Sequence, residues 1–148
     1  MSDSVDYKFK GLRVENREWV FGSLLNDERG RPYIGEYLSI PQTMLEVTAA
    51  RQGGKTAKRF CGIGLYMVRP ETVGQFTGSY DKRADEIYRG DIVKAYLFNE
   101  AVYINPIEYR SGTFWFGNWN WVEFLDKFRN IERVGNKFDI IALAGGRP

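Results

Sequence analysis

The chain has 148 residues with a formal net charge of +2; 43% of them are hydrophobic, 16% aromatic and 27% charged, with no histidine and one cysteine. That length suits one domain able to bury roughly 70% of the surface its unfolded chain exposes, and so small a net charge supplies no global field for nucleic acid, which leaves only local basic patches. The absence of histidine removes the Ser-His-Asp and Cys-His arrangements, and the lone Cys61 excludes an internal disulfide and a structural zinc site.

In chain order, the first segment is "YKFK", where Tyr7 and Phe9 alternate with lysines. The apolar phase shifts at Gly11, so that Leu12 and Val14 continue it, and the pattern predicts a strand with a bulge. After a polar connection, "WVFGSLL" (Trp19 to Leu25) reads as the returning strand of a hairpin. The turn Asn26 to Pro32 leads to a third strand, Tyr33 to Ile40, and Thr43 to Thr48 offers a short fourth. "GIGLYMV" (Gly62 to Val68) is a strand ended by Arg69-Pro70, since proline cannot donate to a ladder.

"IVKAYLF" keeps a period of two, with Ile92, Lys94, Tyr96 and Phe98 on one face and Val93, Ala95 and Leu97 on the other. Both faces are largely apolar, so the strand is expected to be central. Ser111-Gly112 between Tyr109 and Phe114 predicts a two-residue hairpin loop. Trp121, Phe124, Leu125 and Phe128 fall at helical spacing and predict one short helix near residues 121–129. "FDIIAL" reads as a closing strand, with frayed ends at about 1–6 and 144–148.

Three features bear on function. "AARQGGKTAKRF" imitates the end of a phosphate-binding loop, but Ala49 stands where the first glycine is required and no buried strand precedes it, so nucleotide hydrolysis is not expected. What remains is a flexible basic loop at about 49–60 bearing Arg51, Lys55, Lys58 and Arg59. It can contact phosphates or an acidic protein surface, or simply lie in solvent. The aromatic run from Tyr109 to Phe128 is expected to fill a core for the most part. Trp115, pointing opposite to Phe114 and Phe116, and Trp119, in the connection "GNWN", are the candidates for an exposed partner contact. The carboxylates Asp81, Asp85, Glu86 and Asp91 are a theoretical all-oxygen magnesium or calcium site, but Lys82, Arg83 and Arg89 sit among them and no calcium-loop spacing appears. No metal or cofactor is expected.

The third feature is the stretch that contains those carboxylates, "ETVGQFTGSYDKRADEIYRGDIV", Glu71 to Val93. It resembles the signature of the YopX family of phage and prophage proteins, "TVGQYTGL-D-G-EIYEGDIV", without a gap from Thr72 through Val93. "REWVFGSLL" resembles the family's early tryptophan strand with its Gly22, and "ERVGN" (Glu132 to Asn136) resembles a family segment near the C-terminus. Ala84, Ser79 and Arg89 depart from the pattern, which has glycine, leucine and glutamate there. The resemblance implies a mostly β domain and supplies no biochemical activity.

The motif's own residue types point to structural duty. Gly74, Gly78 and Gly90 are spaced as turn residues, and Thr72, Thr77 and Asp81 can close turns onto nearby backbone. Asp91 after Gly90 can accept a backbone N–H at a strand entry. Gln75, Ile87 and Tyr88 complete the structural set.

The expectation is therefore a mainly β chain, a small barrel or sandwich, partly SH3-like, forming a single domain over 1–148. Without an apolar leader in "MSDSVDYKFK" or a run of 18 apolar residues, a cytoplasmic protein with no membrane role is expected. The expected function is a non-enzymatic phage accessory module that binds a host or phage protein. A nucleic-acid-binding small barrel is the alternative, and unpaired edge strands leave homo-oligomers open.

Overall fold

The structure is a computed structural model that describes residues 8–36 and 64–140. The proposed strand at Thr43 to Thr48, the basic loop with Arg51, Lys55, Lys58 and Arg59, and both chain ends lie outside the described residues. Within them the chain is mainly β. One antiparallel sheet has the order β4-β3-β2-β1-β5-β6 and the other β10-β9-β8-β7-β11.

The first sheet comprises β1 (Phe9–Leu12), β2 (Trp19–Asn26), β3 (Pro32–Glu36), β4 (Leu65–Met67), β5 (Gly74–Tyr80) and β6 (Glu86–Tyr88). The β1–β2 register runs Phe9↔Gly22, Lys10↔Phe21, Gly11↔Val20, Leu12↔Trp19 without interruption, which corrects the bulge expected at Gly11. The apolar phase shifts because β1 is covered on both faces. Its Phe9 and Gly11 face carries Val20, Ile34 and Val68, and its other face buries Lys10 and Leu12. Beyond β1, Val14 N–H donates to Met67 O and Arg69 N–H to Leu12 O (2.9 and 2.8 Å), so the sheet curls back toward β4. The curl ends at one bridge, Arg13↔Val68, and no barrel closes. The sandwich form of the expectation is the compatible one.

The second sheet comprises β7 (Asp91–Leu97), β8 (Val102–Arg110), β9 (Thr113–Phe116), β10 (Trp119–Asn120) and β11 (Phe128–Asn136). β7 lies between β8 and β11, as its two-sided apolar pattern predicts. The β8–β9 hairpin turns on Ser111 and Gly112, both at positive φ (52° and 80°), the geometry a two-residue hairpin loop requires.

A short helix, α1 (Trp121–Lys127), covers the inner face. Asn120 accepts the Glu123 N–H and Glu123 accepts the Asn120 N–H, a reciprocal cap. Trp121 and Phe124 pack with Phe116, Val93, Ala95 and Ile107 into the larger core. The helix is shorter than its apolar spacing suggests, because Leu125 is 46% exposed and Phe128 is already extended as the first residue of β11.

β11 is the element that the sequence pattern hides. Arg129, Glu132 and Arg133 dominate its composition, and two register irregularities break its alternation. Of the strand expected over "FDIIAL", only residues 138–140 are described, and they leave the sheet in a turn instead. Asn136 accepts the Phe138 N–H through its side chain, Asp139 accepts the Asn136 N–H, and Asp139 and Ile140 are helical.

Candidate functional site

The two sheets meet at a buried charge. Lys10 is 2% exposed and Asp91 is fully buried, and the Lys10 ammonium donates to Asp91 Oδ1 at 2.5 Å. Asp91 also accepts the Tyr88 N–H at 2.7 Å and Asn136 Nδ2–H at 2.9 Å, and it forms an ion pair with Arg133, whose Nε lies 3.1 Å from Oδ2. The Lys10 nitrogen lies 4.7 Å from the centre of a Trp19 ring and 5.0 Å from Tyr88, so the aromatic side chains supply cation–π attraction where water is excluded. Burial lowers the Lys10 pKa, and the Asp91 carboxylate opposes that shift.

Segments distant in sequence converge here. Trp19 comes from the tryptophan strand, Tyr88 and Asp91 from the central motif, and Arg133 and Asn136 from "ERVGN". Residue types foretold the strand-entry acceptor at Asp91. Lys10, Arg133 and Asn136 were missed, because a lysine that alternates with aromatic residues reads as the wet face of a strand. The signal that could have revealed it is the apolar phase shift at Gly11, which marks a strand with no wet face.

The rest of the motif is built into backbone connections. Thr72 accepts the Leu12 N–H and donates to Arg69 O, and Thr77 donates to Ile87 O. Gln75 pairs with Phe9 and accepts the Arg89 N–H at its carbonyl. Gly78, at φ +84°, sits in the β5 irregularity opposite β6. Ile87 joins the larger core. Gly90, at φ +92°, donates its N–H to Ile107 O and accepts the Lys137 N–H, which fastens the start of β7 to β8 and to the end of β11.

Asp81 closes its turn by accepting the Arg83 and Asp85 N–H groups on Oδ1 and reaches across to the Arg133 N–H with Oδ2, all at 2.9 Å. Lys82 N–H donates to Ile131 O, and the Arg83 guanidinium to Arg133 O. The turn thus lies along the outer side of β11, with Ala84 held at φ +67° in the place where the family pattern has glycine.

Burial pushes the Asp81 carboxyl up, but the N–H groups of Arg133, Asp85 and Arg83 and the Arg83 charge outweigh it and hold its pKa below the ordinary value. A carboxylate lowered in this way stabilises the fold above its unfolded pKa and loses that contribution as the pH falls through the folded one. Asp81→Asn should therefore cost about 1–2 kcal/mol at neutral pH. In denaturant melts the gap to wild type should close below about pH 4; a gap that stays constant down to pH 2, roughly two units below that value, would remove the ionic role.

Asp81, Asp85, Glu86 and Asp91 are not gathered into one site. Glu86 is paired with Lys8 and bonded by the Tyr88 hydroxyl, and among the described residues no group of three His, Cys, Asp or Glu is placed to hold an ion.

The other candidate surface is the outer face of the five-stranded sheet. Cross-strand neighbours there are Tyr96↔Val102, Lys94↔Ile104, Ile92↔Pro106 and Glu108↔Trp115. Phe98, Ile104 and Val102 are 64%, 59% and 47% exposed. Arg129 lies over the Phe98 ring and Arg110 over Trp115, each at 4.4 Å. Trp115 lies on this face, its indole N–H donating to Arg110 O. Trp119 does not: it is half-buried against Tyr103 and Phe128, with ring centres 5.0 and 4.9 Å away, because its pairing with Phe116 in β10 turns it onto the core.

A scan against protein families matches residues 8–139 to the family described as YopX protein. A search of curated proteins finds no match.

Proposed function

The chain belongs to the YopX family, and we propose that it acts as a non-enzymatic protein-interaction module whose docking surface is the outer face of the five-stranded sheet. The supporting observation is the contiguous exposed row of Phe98, Val102 and Ile104 backed by Tyr96, Ile92 and Pro106. Scattered apolar residues on a surface are ordinary, but a continuous patch on one sheet face marks a contact site.

The centre of this face is aliphatic, which suits a protein surface better than stacked bases. Its charges are mixed, with Lys94, Arg110 and Arg129 set against Glu108 and Glu132, so it lacks the basic stripe that tracks phosphates. Glu108 pairs with Arg110, and Glu132 with Lys82 and Arg83. Lys94 and Arg129 form no ion pair among the described residues. The fitting partner is thus a host or phage protein that presents an apolar patch with acidic residues opposite those two cations.

The test uses the purified full chain as bait in host lysate, with and without nuclease, followed by titration of the identified partner. Ile104→Glu should weaken that partner's affinity by about 2 kcal/mol or more while shifting stability by no more than about 0.5 kcal/mol. Retention of the partner at wild-type affinity by Ile104→Glu removes this face. Retention that vanishes with nuclease or with moderate salt transfers the function to the nucleic-acid reading.

A further inference from the structure

A cleft of about 280 Å³ opens where the two sheets meet, lined by Lys10, Phe21, Asp85, Glu86, Tyr88 and Arg133. Its floor is already engaged. Lys10 is bonded to Asp91, and the Tyr88 hydroxyl donates to Glu86 Oε1 at 2.9 Å. Three groups around it keep free capacity. The Phe21 ring is 45% exposed and stands edge-on to Tyr88 at 5.6 Å. Arg133 holds Asp91 through Nε only, so its two terminal nitrogens have no hydrogen-bond partner among the described residues. Asp85 has a carboxylate whose nearest cation, Arg83, is 3.7 Å away.

The cleft therefore offers one flat apolar surface, one fork of donors and one acceptor. Its lining charges balance, with Lys10 and Arg133 against Asp85 and Glu86. That balance disfavours a free anion and a free cation alike, and favours an uncharged molecule with both an acceptor and a donor. The volume lies near the lower end of small-molecule sites, roughly 300 Å³, enough for one ring system and too small for a dinucleotide.

We propose that this cleft binds an uncharged nitrogen heterocycle of the nucleobase class, with the ring on Phe21, the acceptor edge toward the Arg133 fork and an exocyclic amine toward Asp85. This site is separate from the outer sheet face and does not depend on it. A base seated there lies beside the contact that joins the sheets, so occupancy stabilises the whole fold by mass action.

The test is titration of the full chain with adenosine, cytidine, uridine and benzoate, followed by calorimetry and by amide shifts in NMR spectra. Adenosine or cytidine should saturate in the millimolar range or below, and uridine, which lacks the exocyclic amine, should bind about tenfold more weakly. Phe21→Ala should lower the affinity for the amine-bearing nucleosides about tenfold. Asp85→Ala, at an exposed position, should leave the melting temperature intact and erase the preference over uridine. Failure of all three nucleosides to saturate, benzoate binding as tightly as adenosine, or either variant binding and discriminating like wild type would each overturn the proposal.

Discussion

Asp91→Ala should lower stability by about 3–5 kcal/mol, whereas Asp85→Ala, the matched control, should change it by no more than about 0.5 kcal/mol.

 The two carboxylates lie six residues apart in the same motif and differ in what surrounds them. Asp91 is fully buried, accepts from Lys10, Tyr88 and Asn136 and pairs with the Arg133 charge, so truncation strands a buried ammonium and a buried backbone N–H at once. Asp85 is more than half exposed, and its side chain meets only the Arg83 charge at 3.7 Å. Urea melts at neutral pH measure both. Lys10→Met is the informative companion: it removes the partner charge but leaves Asp91 with Arg133, Asn136 and the Tyr88 N–H, so it should cost less than Asp91→Ala. Equal and small effects of the two aspartate variants would show that the sheets are not joined through this contact.

Gly74→Ala should cost about 3 kcal/mol, at the upper end of what overpacking does. The glycine sits at the start of β5 beside Lys10 of β1, and a Cβ placed there would meet the Arg89 carbonyl oxygen at 2.3 Å. That oxygen belongs to backbone, which cannot swing aside as a side chain can. The next residue, Gln75, accepts the Arg89 N–H, so moving Arg89 away also loosens β5 from the turn into β7. Gly78→Ala is the comparison, because its site is open and only its φ of +84° opposes a side chain. It should cost about 1–2 kcal/mol. Thermal melts of the two variants give the ranking, and a Gly74→Ala protein as stable as wild type would mean that β5 and Arg89 do not approach this closely.

Much of the fold was legible because turn chemistry and alternation act locally. Ser111-Gly112 announced its hairpin, and the two-sided apolar pattern of Ile92 to Phe98 announced a central strand, which is where β7 lies. The helix was placed by Trp121 and Phe124, but its end was set by β11, an element with no apolar period of its own. β11 is held by pairing to β7 through two irregularities, and a strand defined by its partner leaves little trace in its own residues. Lys10 escaped for a related reason: its burial depends on Asp91, 81 positions away. No window of the chain contains both. The outer sheet face was half visible, since Trp115 was placed by alternation, while Trp119 was mistaken for an exposed ring because the two-residue strand that turns it inward is too short to show a period.

The turn from Asp81 to Asp85 has a consequence for how this chain behaves in a crowd. β11 is nine residues long and borders its sheet, and an uncovered border of that length is a template on which another chain can add a strand. The turn already occupies it, engaging the carbonyls of Ile131 and Arg133 and the Arg133 N–H. A motif that looks like a recognition sequence thus works as a stopper on this border of the sheet.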